Sequence, residues 1–164
     1  EAMIALLPDH PDWTAVITGR VTAEHKGFAD ELRRRIAAAG LAERILFLGE
    51  VPDVAVWYRR ATLYVAPSRN EGFGLTPLEA MASATAVVAS DAGSYSEIVT
   101  PGVTGSVVSA GDGEGLREAI RPYLADPELA LAHGANGLDD VRVRFRLEGE
   151  AAGLREVYER VWGA

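Results

Sequence analysis

The strongest constraint on the fold is a regular alternation of short apolar runs with helical patterns. Each run is rich in β-branched residues and ends at a glycine or a polar turn, which is typical of a strand buried on both faces. Strands that alternate with helices predict a parallel sheet with helices on both sides, that is, a doubly wound α/β domain. The predicted strands are Thr14–Arg20, Ile45–Glu50, Thr62–Ser68, Thr85–Asp91 and GSVVS at 105–109.

The segments between and after these runs predict helices, which makes the architecture Rossmann-like. Phe28–Gly40 has apolar residues at helical spacing, from Phe28 to Ala39, and ends at a glycine. Asp53 is a suitable N-cap for a short helix. A terminal helix is predicted at about 148–163. The segment Val141–Arg146 alternates with a period of two but lies between helices, so we interpret it as a bend.

Composition limits the class of protein. The chain has 164 residues, which is one domain (1–164), and 48% of them are hydrophobic, enough for an ordinary core. It has no cysteine, which excludes disulfides and cysteine metal sites and fits a reducing compartment. No apolar run approaches the roughly 20 residues of a membrane-spanning helix. The first residues lack the basic start of a secretory signal, so we expect a cytoplasmic location.

The net charge of −8 argues against nucleic acid as a partner, because nucleic-acid-binding proteins usually present a basic face. It also affects any anionic ligand, which the overall field of the protein would repel. A phosphate site would therefore need local help from a helix N-terminus or a few arginines.

The most distinctive stretch is RNEGFGLTP, from Arg69 to Pro77. Gly72 and Gly74 would let the backbone approach a ligand closely and take positive φ. The chain is then predicted to enter a helix at Thr76 or Pro77. Free N–H groups at the start of that helix would form an anion site; they belong to Phe73, Gly74, Leu75 and Thr76.

Glu71 and Glu79 stand on either side of this turn, and carboxylates are good acceptors for sugar hydroxyls. A nucleotide-sugar, with a hydroxylated ring on each side of a diphosphate, would satisfy both the carboxylates and the turn. Structural alternatives remain open. Thr76 to Glu79 also matches a capping box, as does Ser94 to Glu97, and Glu71 could be a solvated loop acid.

Other polar and aromatic residues are weaker candidates. Arg20 ends a strand at the expected ligand edge and could contact a phosphate, or it could be a solvated arginine; Arg69 has the same two interpretations. Trp57 and Tyr58 are interpreted as packing residues. The three histidines, which we expect at the surface, form no cluster of metal ligands and no metal is expected; they are His10, His25 and His133.

The segment EGFGLTPLEAMA, preceded by TLYVAPS and followed by TAVVASDAGSYSEIVTPGVTGSVV, resembles the carboxyl-terminal domain of GT-B glycosyltransferases. The similarity is to the large retaining family known as glycosyltransferase group 1 or family 4. Glu71 and Glu79 match its pair of glutamates separated by seven residues. The resemblance extends from Thr14 to Trp162, and within the family it is closest to bacterial lipopolysaccharide core mannosyltransferases.

The resemblance implies a role for each matching residue. Glu71 would contact hydroxyls of the donor sugar as the catalytic-site carboxylate, and Glu79 would contact the ribose. The turn would hold the sugar and phosphates through backbone amides, and the loop with Glu50 and Val51 would lie beside the base. Gly72, Thr76 and Arg20 join these residues from the sequence pattern alone. The complete expected donor-binding set is Glu71, Gly72, Phe73, Gly74, Leu75, Thr76, Glu79, Glu50, Val51 and Arg20.

The activity that the resemblance implies is transfer of a hexose with retention of configuration and without a metal. The expected donor is GDP-mannose and the expected acceptor is a lipid-linked lipopolysaccharide core saccharide, at the inner face of the cytoplasmic membrane. Two alternatives stay open: a transferase with a UDP-sugar donor, and a non-catalytic nucleotide-binding module.

The chain departs from the family pattern at its start. The family's domain begins with a strand and a loop whose Arg and Lys clamp the diphosphate, and nothing before Met3 matches them. We therefore expect a fragment of a two-domain enzyme that lacks its first strand and its amino-terminal acceptor domain. Such a fragment would bind donor weakly and be inactive alone. The last helix, around Val157–Trp162, would cross back to the other domain.

Overall fold

The structure is a computed structural model that describes residues 1–163, so Ala164 of the predicted domain lies outside the described residues. Five strands alternate with helices. The strands are β1 (Ala15–Thr18), β2 (Ile45–Gly49), β3 (Leu63–Ala66), β4 (Ala86–Ser90) and β5 (Gly105–Val108). The α-helices are α1 (Ala2–Leu6), α2 (Lys26–Ala38), α3 (Val54–Arg60), α4 (Leu75–Ala82), α5 (Tyr95–Ile98), α6 (Gly113–Ala125), α7 (Pro127–Arg144) and α8 (Leu147–Trp162).

All five strands pair in parallel, and they form two sheets. β1 pairs with β2, with Ala15 opposite Ile45. β4 lies between β3 and β5, with Val87 opposite both Tyr64 and Gly105. The prediction of a parallel α/β fold is confirmed. Within residues 1–163, β1 and β3 are not hydrogen-bonded to each other, so each has one unpaired edge.

Helices cover both faces of the larger sheet, and β4 is its most buried strand. All of its residues are buried. Successive side chains of a strand point to opposite faces. Accordingly Val87 and Ala89 pack with residues of α3, α4 and α5, whereas Ala86 and Val88 pack with residues of α1, α6 and α7. This two-sided core is the doubly wound arrangement that the sequence predicted.

The smaller sheet is attached to the larger one through the first helix and its flanking residues. Leu6 packs in the core beneath the larger sheet, and the adjacent Leu7 packs in the cluster of α2 and β2. The Arg44 guanidinium donates hydrogen bonds to the carbonyl oxygens of Leu7 (2.9 Å) and Trp13 (2.8 Å). The Trp13 indole N–H donates to the Leu124 carbonyl oxygen in α6 at 3.1 Å. The two sheets are thus joined by packing and by a few long-range hydrogen bonds.

Strand β1 is more exposed than the sequence indicated. The apolar run Thr14–Arg20 predicted a buried strand, yet Val16 and Ile17 are 40% and 39% exposed. The prediction of burial was wrong because β1 has a strand neighbour on one edge only and lacks a packed layer over most of its residues. β3 is also only half-buried, except at Ala66.

Phe28, in the first turn of α2, is more exposed than the apolar spacing of the helix predicts. Phe28 shares the apolar spacing of Leu32 and Ile36, but it is 71% exposed, while Ile36 is 3% exposed. Only the later turns of α2 pack against β2 and α1. Phe28 lies two turns before Ile36 and therefore extends beyond that contact.

The interpretation of Val141–Arg146 as a bend was wrong for most of its length. Helix α7 continues through Arg144, and only Phe145 and Arg146 separate it from α8. Val141 and Phe145 both pack against the core cluster of the larger sheet. Their spacing of four residues is helical, and this tertiary contact overrides the local period of two.

Helix α8 closely matches the predicted terminal helix but packs little against the rest of the chain. From Leu154 onward its large apolar side chains are exposed, from 53% at Val157 to 72% at Trp162. They recur at intervals of three and four residues, which places them along one side of a helix; the set is Leu154, Val157, Tyr158, Val161 and Trp162.

A methyl group at Gly134 is expected to destabilise the fold, because α7 packs closely on the turn before β4 at this point. A Cβ at Gly134 would overlap the carbonyl oxygen of Ala84. We expect Gly134→Ala to lower the free energy of unfolding by ~1–3 kcal/mol, measured by urea denaturation. Gly149 in α8 has open space around it. Gly149→Ala is the matched control and should leave stability unchanged or raise it; a loss equal to that of Gly134→Ala would contradict the packing described.

Candidate functional site

The glycine-rich turn lies where β3 ends and α4 begins, at the carboxyl edge of the larger sheet. Helix α4 begins at Leu75, one residue before the predicted start, with Gly74 as its N-cap. Gly74 has φ of +76°, in the left-handed region that favours glycine. A Cβ at this position would also overlap the ring of Tyr95. Gly74 is therefore required both by its backbone conformation and by its packing.

The turn presents free backbone donors. Within residues 1–163, the N–H groups of Phe73, Gly74, Leu75 and Thr76 donate no hydrogen bond to another residue. The first N–H groups of a helix have no partner inside it, and together with the helix dipole they favour an anion. Phe73 and Leu75 are mostly exposed, so this start of α4 is accessible from solvent. The predicted anion-binding geometry is thus available.

The capping box that was an open alternative for Thr76 and Glu79 does not form. Because α4 starts at Leu75, Thr76 lies inside the helix, and no side chain caps its N-terminus. The Glu79 carboxylate instead accepts a hydrogen bond from the Tyr58 hydroxyl, with Oε2 at 3.2 Å. Glu79 is therefore held by a side chain of α3 and is available for a role other than capping.

Glu71 is half-buried and both of its carboxylate oxygens have partners. Oε1 accepts from the Gly72 backbone N–H at 3.0 Å, and Oε2 accepts from the Tyr95 hydroxyl at 2.9 Å. Each carboxylate oxygen can accept about two hydrogen bonds. The carboxylate is thus fixed in orientation but keeps acceptor capacity for a ligand, unlike a freely solvated loop acid.

The start of α5 holds the opposite side of the turn. The Ser94 hydroxyl donates to the carbonyl oxygens of Gly72 and Phe73, so the capping box predicted at Ser94 does not form either. Gly93 has φ of +57°, and a Cβ there would overlap the carbonyl oxygens of Glu71 and Gly72. Gly93 and Ser94 are therefore in direct contact with the turn from the next strand-to-helix connection.

Glu79 borders a surface pocket together with the loop before α3. The pocket is lined by Pro52, Asp53, Val54, Tyr58 and Glu79, among others. Asp53 caps α3 as predicted, accepting from the Ala55 N–H at 3.0 Å. Burial, with smaller contributions from Tyr64 and Glu79, raises the pKa of Tyr58. Its hydroxyl therefore stays protonated at neutral pH and donates to Glu79.

Arg20 and Glu50 lie together at the carboxyl ends of β1 and β2. Arg20 Nε is 3.8 Å from Glu50 Oε1, and both side chains are largely exposed. Together with Arg33 and Phe47 they line a second surface pocket. An exposed ion pair of this kind contributes little to stability, so both groups remain free to contact a ligand. Val51 is half-buried and borders neither pocket.

The histidines are placed differently from one another. His25 is exposed as expected, but His10 and His133 are half-buried. Both are therefore only partly at the surface, and His133 Nδ1 is 2.9 Å from the Tyr123 hydroxyl. Across residues 1–163, no three His, Cys, Asp or Glu side chains come close enough to hold a metal ion.

The sequence pattern predicted neither the contact of Tyr95 with Glu71 nor that of Ser94 with the turn. Tyr95 lies 24 residues after Glu71, and no local spacing connects them. Tyr58 was correctly placed in the core, at 5% exposure, but its hydrogen bond to Glu79 spans 21 residues and was not predicted. The available signal was only that a tyrosine, which has a polar hydroxyl, stands at a position where the pattern predicts an apolar core residue.

Comparison with known proteins identifies the class to which this fold and site belong. The family described as "Glycosyl transferases group 1" matches residues 1–139. That is well over half of the chain, and the chain belongs to this family of glycosyltransferases. The family resemblance drawn from the EGFGLTPLEAMA segment is confirmed.

Two relatives share a more specific name. The chain is 67% identical over 162 residues to "Lipopolysaccharide core biosynthesis mannosyltransferase LpcC" of Rhizobium leguminosarum bv. viciae, covering 99% of this chain and 46% of that protein. It is 48% identical over 161 residues to LpsB of Rhizobium meliloti, described in the same words, covering 97% and 46%. The chain therefore spans about half the length of these relatives.

Solved structures agree with the fold. The carboxyl-terminal domain of a group 1 family protein (LpcC) from Francisella tularensis has a TM-score of 0.84 and 35% identity, covering 89% of this chain and 76% of that one. Anabaena Alr3699/HepE in complex with UDP-glucose has a TM-score of 0.83 and 26% identity, covering 97% and 44%. The doubly wound α/β prediction is confirmed by these neighbours.

Gly93 is expected to be sensitive to substitution because it touches the turn. Gly93→Ala should lower the melting temperature, since it combines left-handed strain with overlap against Glu71 and Gly72 carbonyls. Gly102 has φ of +75° and open space around it, so Gly102→Ala is a control that carries the strain alone. The strain costs on the order of 1 kcal/mol, and we expect Gly93→Ala to cost clearly more in differential scanning calorimetry. Equal losses would show that the turn does not depend on this contact.

Proposed function

We propose that this chain is the donor-binding domain of a retaining hexosyltransferase that transfers mannose from GDP-mannose to a lipopolysaccharide core acceptor. The observation that supports this most directly is the pair of oriented carboxylates, Glu71 and Glu79, flanking a turn with free N–H donors. Family membership makes glycosyl transfer the reaction class. The shared name of the two relatives supports mannose as the sugar and the lipopolysaccharide core as the acceptor.

The geometry suits the parts of a nucleotide-sugar. In this proposal Glu71 accepts hydrogen bonds from hydroxyls of the hexose, and Glu79 accepts them from the ribose. The N–H groups from Phe73 to Thr76 hold the diphosphate and the sugar. The loop at Glu50 and Val51 lies beside the base; in support, Glu79 borders a pocket with the residues that directly follow this loop.

Local donors would overcome the unfavourable charge of the chain. With a net charge of −8, the overall field repels a diphosphate. The free N–H groups at the start of α4 act at short range, where the helix N-terminus favours negative charge. Arg20, at the end of β1, would add one positive charge at the edge of the site.

The proposed chemistry is a front-face displacement. The acceptor hydroxyl oxygen forms a bond to the anomeric carbon, the bond from that carbon to the phosphate oxygen breaks, and the leaving diphosphate takes the hydroxyl proton. Glu71 then positions the sugar and is neither nucleophile nor base. Catalysis would depend on positioning and on stabilisation of the leaving charge by the N–H groups of the turn. We propose that no metal takes part.

A UDP-sugar donor is the main alternative. It is supported by Anabaena Alr3699/HepE, a neighbour of the same fold that binds UDP-glucose. A non-catalytic nucleotide-binding module is less well supported, because both glutamates are present and each is held in place by a tyrosine hydroxyl.

We further propose that the working enzyme includes an amino-terminal acceptor domain and one more strand between β1 and β3. The unpaired edges of β1 and β3 support the strand. The exposed apolar side of α8 supports contact with a second domain, as the family resemblance implies for Val157–Trp162. The acceptor would be lipid-linked and reached at the membrane surface; within residues 1–163, no helix is long and apolar enough to cross a membrane.

Donor binding tests the proposed function directly. Ligand-observed NMR or calorimetry with GDP, UDP, ADP, GDP-mannose and UDP-glucose should show the tightest binding for GDP-mannose. Glu71→Gln should lower the affinity for GDP-mannose about tenfold, roughly 1.4 kcal/mol, because it replaces one charged acceptor of the sugar hydroxyls. Glu128→Gln, at an exposed glutamate in α7, is the control and should change nothing.

The outcomes separate the candidate functions. A preference for UDP-glucose would replace the GDP-mannose assignment with the UDP-sugar alternative. Equal binding of all nucleotides, with no effect of the sugar or of Glu71→Gln, would favour the non-catalytic module.

Adding the proposed strand between β1 and β3 should stabilise the fold. We expect this domain to unfold several degrees higher in a chain extended at its amino terminus to the length of the relatives than in residues 1–164, since ~1 kcal/mol corresponds to roughly 2–4 °C for a domain of 150–250 residues. The control is an extension of equal length made of Gly and Ser, which cannot contribute a strand. If both extensions leave the melting temperature unchanged, the edges of β1 and β3 do not accept a strand.

A further inference from the structure

We propose that Tyr95 is a positioning residue that fixes the Glu71 carboxylate and thereby gives the site its preference for the sugar portion of the donor. This inference rests on the proposed function. The observation that carries it is the hydrogen bond from the Tyr95 hydroxyl to Glu71 Oε2 at 2.9 Å. Tyr95 would not touch the donor; it acts through Glu71.

The Tyr95 side chain is held rigidly. It is 1% exposed and packs in the core cluster with Ala66, Ala80 and Val87. Its ring lies against Gly74, where no side chain could be accommodated. A tyrosine has few rotatable bonds, so a buried ring places its hydroxyl at a defined point. The Glu71 carboxylate therefore has one partner that is part of the rigid core.

The other partner of Glu71 belongs to the turn itself. Oε1 accepts from the Gly72 N–H at 3.0 Å, a contact that would move with the turn. Among residues 1–163, the Tyr95 hydroxyl is the partner of this carboxylate that lies outside the turn, and the Tyr95 ring packs in the core of the larger sheet. The start of α5 also holds the turn itself, through Ser94. Loss of the Tyr95 hydroxyl would free the rotation of a long side chain that must be ordered for binding. The sugar hydroxyls would then have to bind a Glu71 carboxylate whose position is no longer fixed.

A second tyrosine holds the second carboxylate and offers an internal comparison. The Tyr58 hydroxyl donates to Glu79 Oε2 at 3.2 Å. If Glu79 binds the ribose, Tyr58 should affect every guanine nucleotide equally. If Glu71 binds the hexose, Tyr95 should affect only the nucleotide that carries one. The two tyrosines thus divide the site into a nucleoside part and a sugar part.

The test compares GDP with GDP-mannose in full-length protein carrying Y95F, Y58F or Y123F. We expect Y95F to lower the affinity for GDP-mannose about threefold to tenfold, because the Glu71 side chain must then be ordered on binding, and to leave the affinity for GDP within about twofold. Y58F should lower the affinity for both ligands to the same degree. Y123F is the matched control: Tyr123 is equally buried, and its hydroxyl contacts Ser106 and His133 away from the turn. Y123F should leave the affinity for both ligands unchanged.

A double-mutant cycle separates positioning from a general structural effect. If Tyr95 acts through Glu71, Y95F should cause no further loss of GDP-mannose affinity in a protein that already carries Glu71→Gln. In turnover assays Y95F should raise KM for GDP-mannose and lower kcat, while KM for the acceptor stays unchanged. An additive loss in the cycle, or equal weakening of GDP and GDP-mannose by Y95F, would overturn the inference.

A measurement on the unmodified protein covers the case in which Y95F does not fold. With ¹³C-labelled tyrosine, the Tyr95 Cζ resonance should shift on addition of GDP-mannose and stay in place with GDP. No shift with either ligand overturns the role of Tyr95. Absence of any advantage of GDP-mannose over GDP in the wild-type protein overturns the proposed function as well, so the two failures are distinguishable.

Discussion

The burial of strand β4 is the constraint on which the rest of this structure depends. Its five residues are covered on both faces, with alternate side chains in two separate core clusters. β3 and β5 take their register from it, and the chain leaves its carboxyl end at Ser90, whose hydroxyl donates to the Ser68 carbonyl oxygen at 2.6 Å. That bond connects the two strand ends between which the candidate site forms.

A short series of contacts connects the carboxyl end of β4 to the candidate site. Gly93 and Ser94 contact the glycine-rich turn, and the buried Tyr95 donates a hydrogen bond to Glu71. The turn has little structure of its own, since Gly72 and Gly74 favour many conformations. The precise placement of Glu71 is therefore a property of the connection after β4, although the residue itself follows β3.

The Glu71 and Glu79 carboxylates each accept a hydrogen bond from a tyrosine hydroxyl, and neither carboxylate is deeply buried. Tyr58 and Tyr95 orient Glu79 and Glu71 without adding positive charge. In the described residues 1–163, the backbone N–H groups from Phe73 to Thr76 do not donate to these carboxylates, so they remain available to an anion. This division between carboxylate acceptors and N–H donors suits the proposed nucleotide-sugar, which carries both hydroxyls and phosphates.

The sequence by itself determined the α/β class, the order of the strands and helices, the turn between Arg69 and Pro77, and the family, because apolar periodicity and glycine placement are local signals. It did not determine the burial of β1, the exposure of Phe28, the continuation of α7 or the failure of both capping boxes. Each of these depends on what lies across the sheet rather than along the chain. Tyr95 shows the reason most directly: its partner Glu71 is 24 residues away, and only the folded sheet brings the two together.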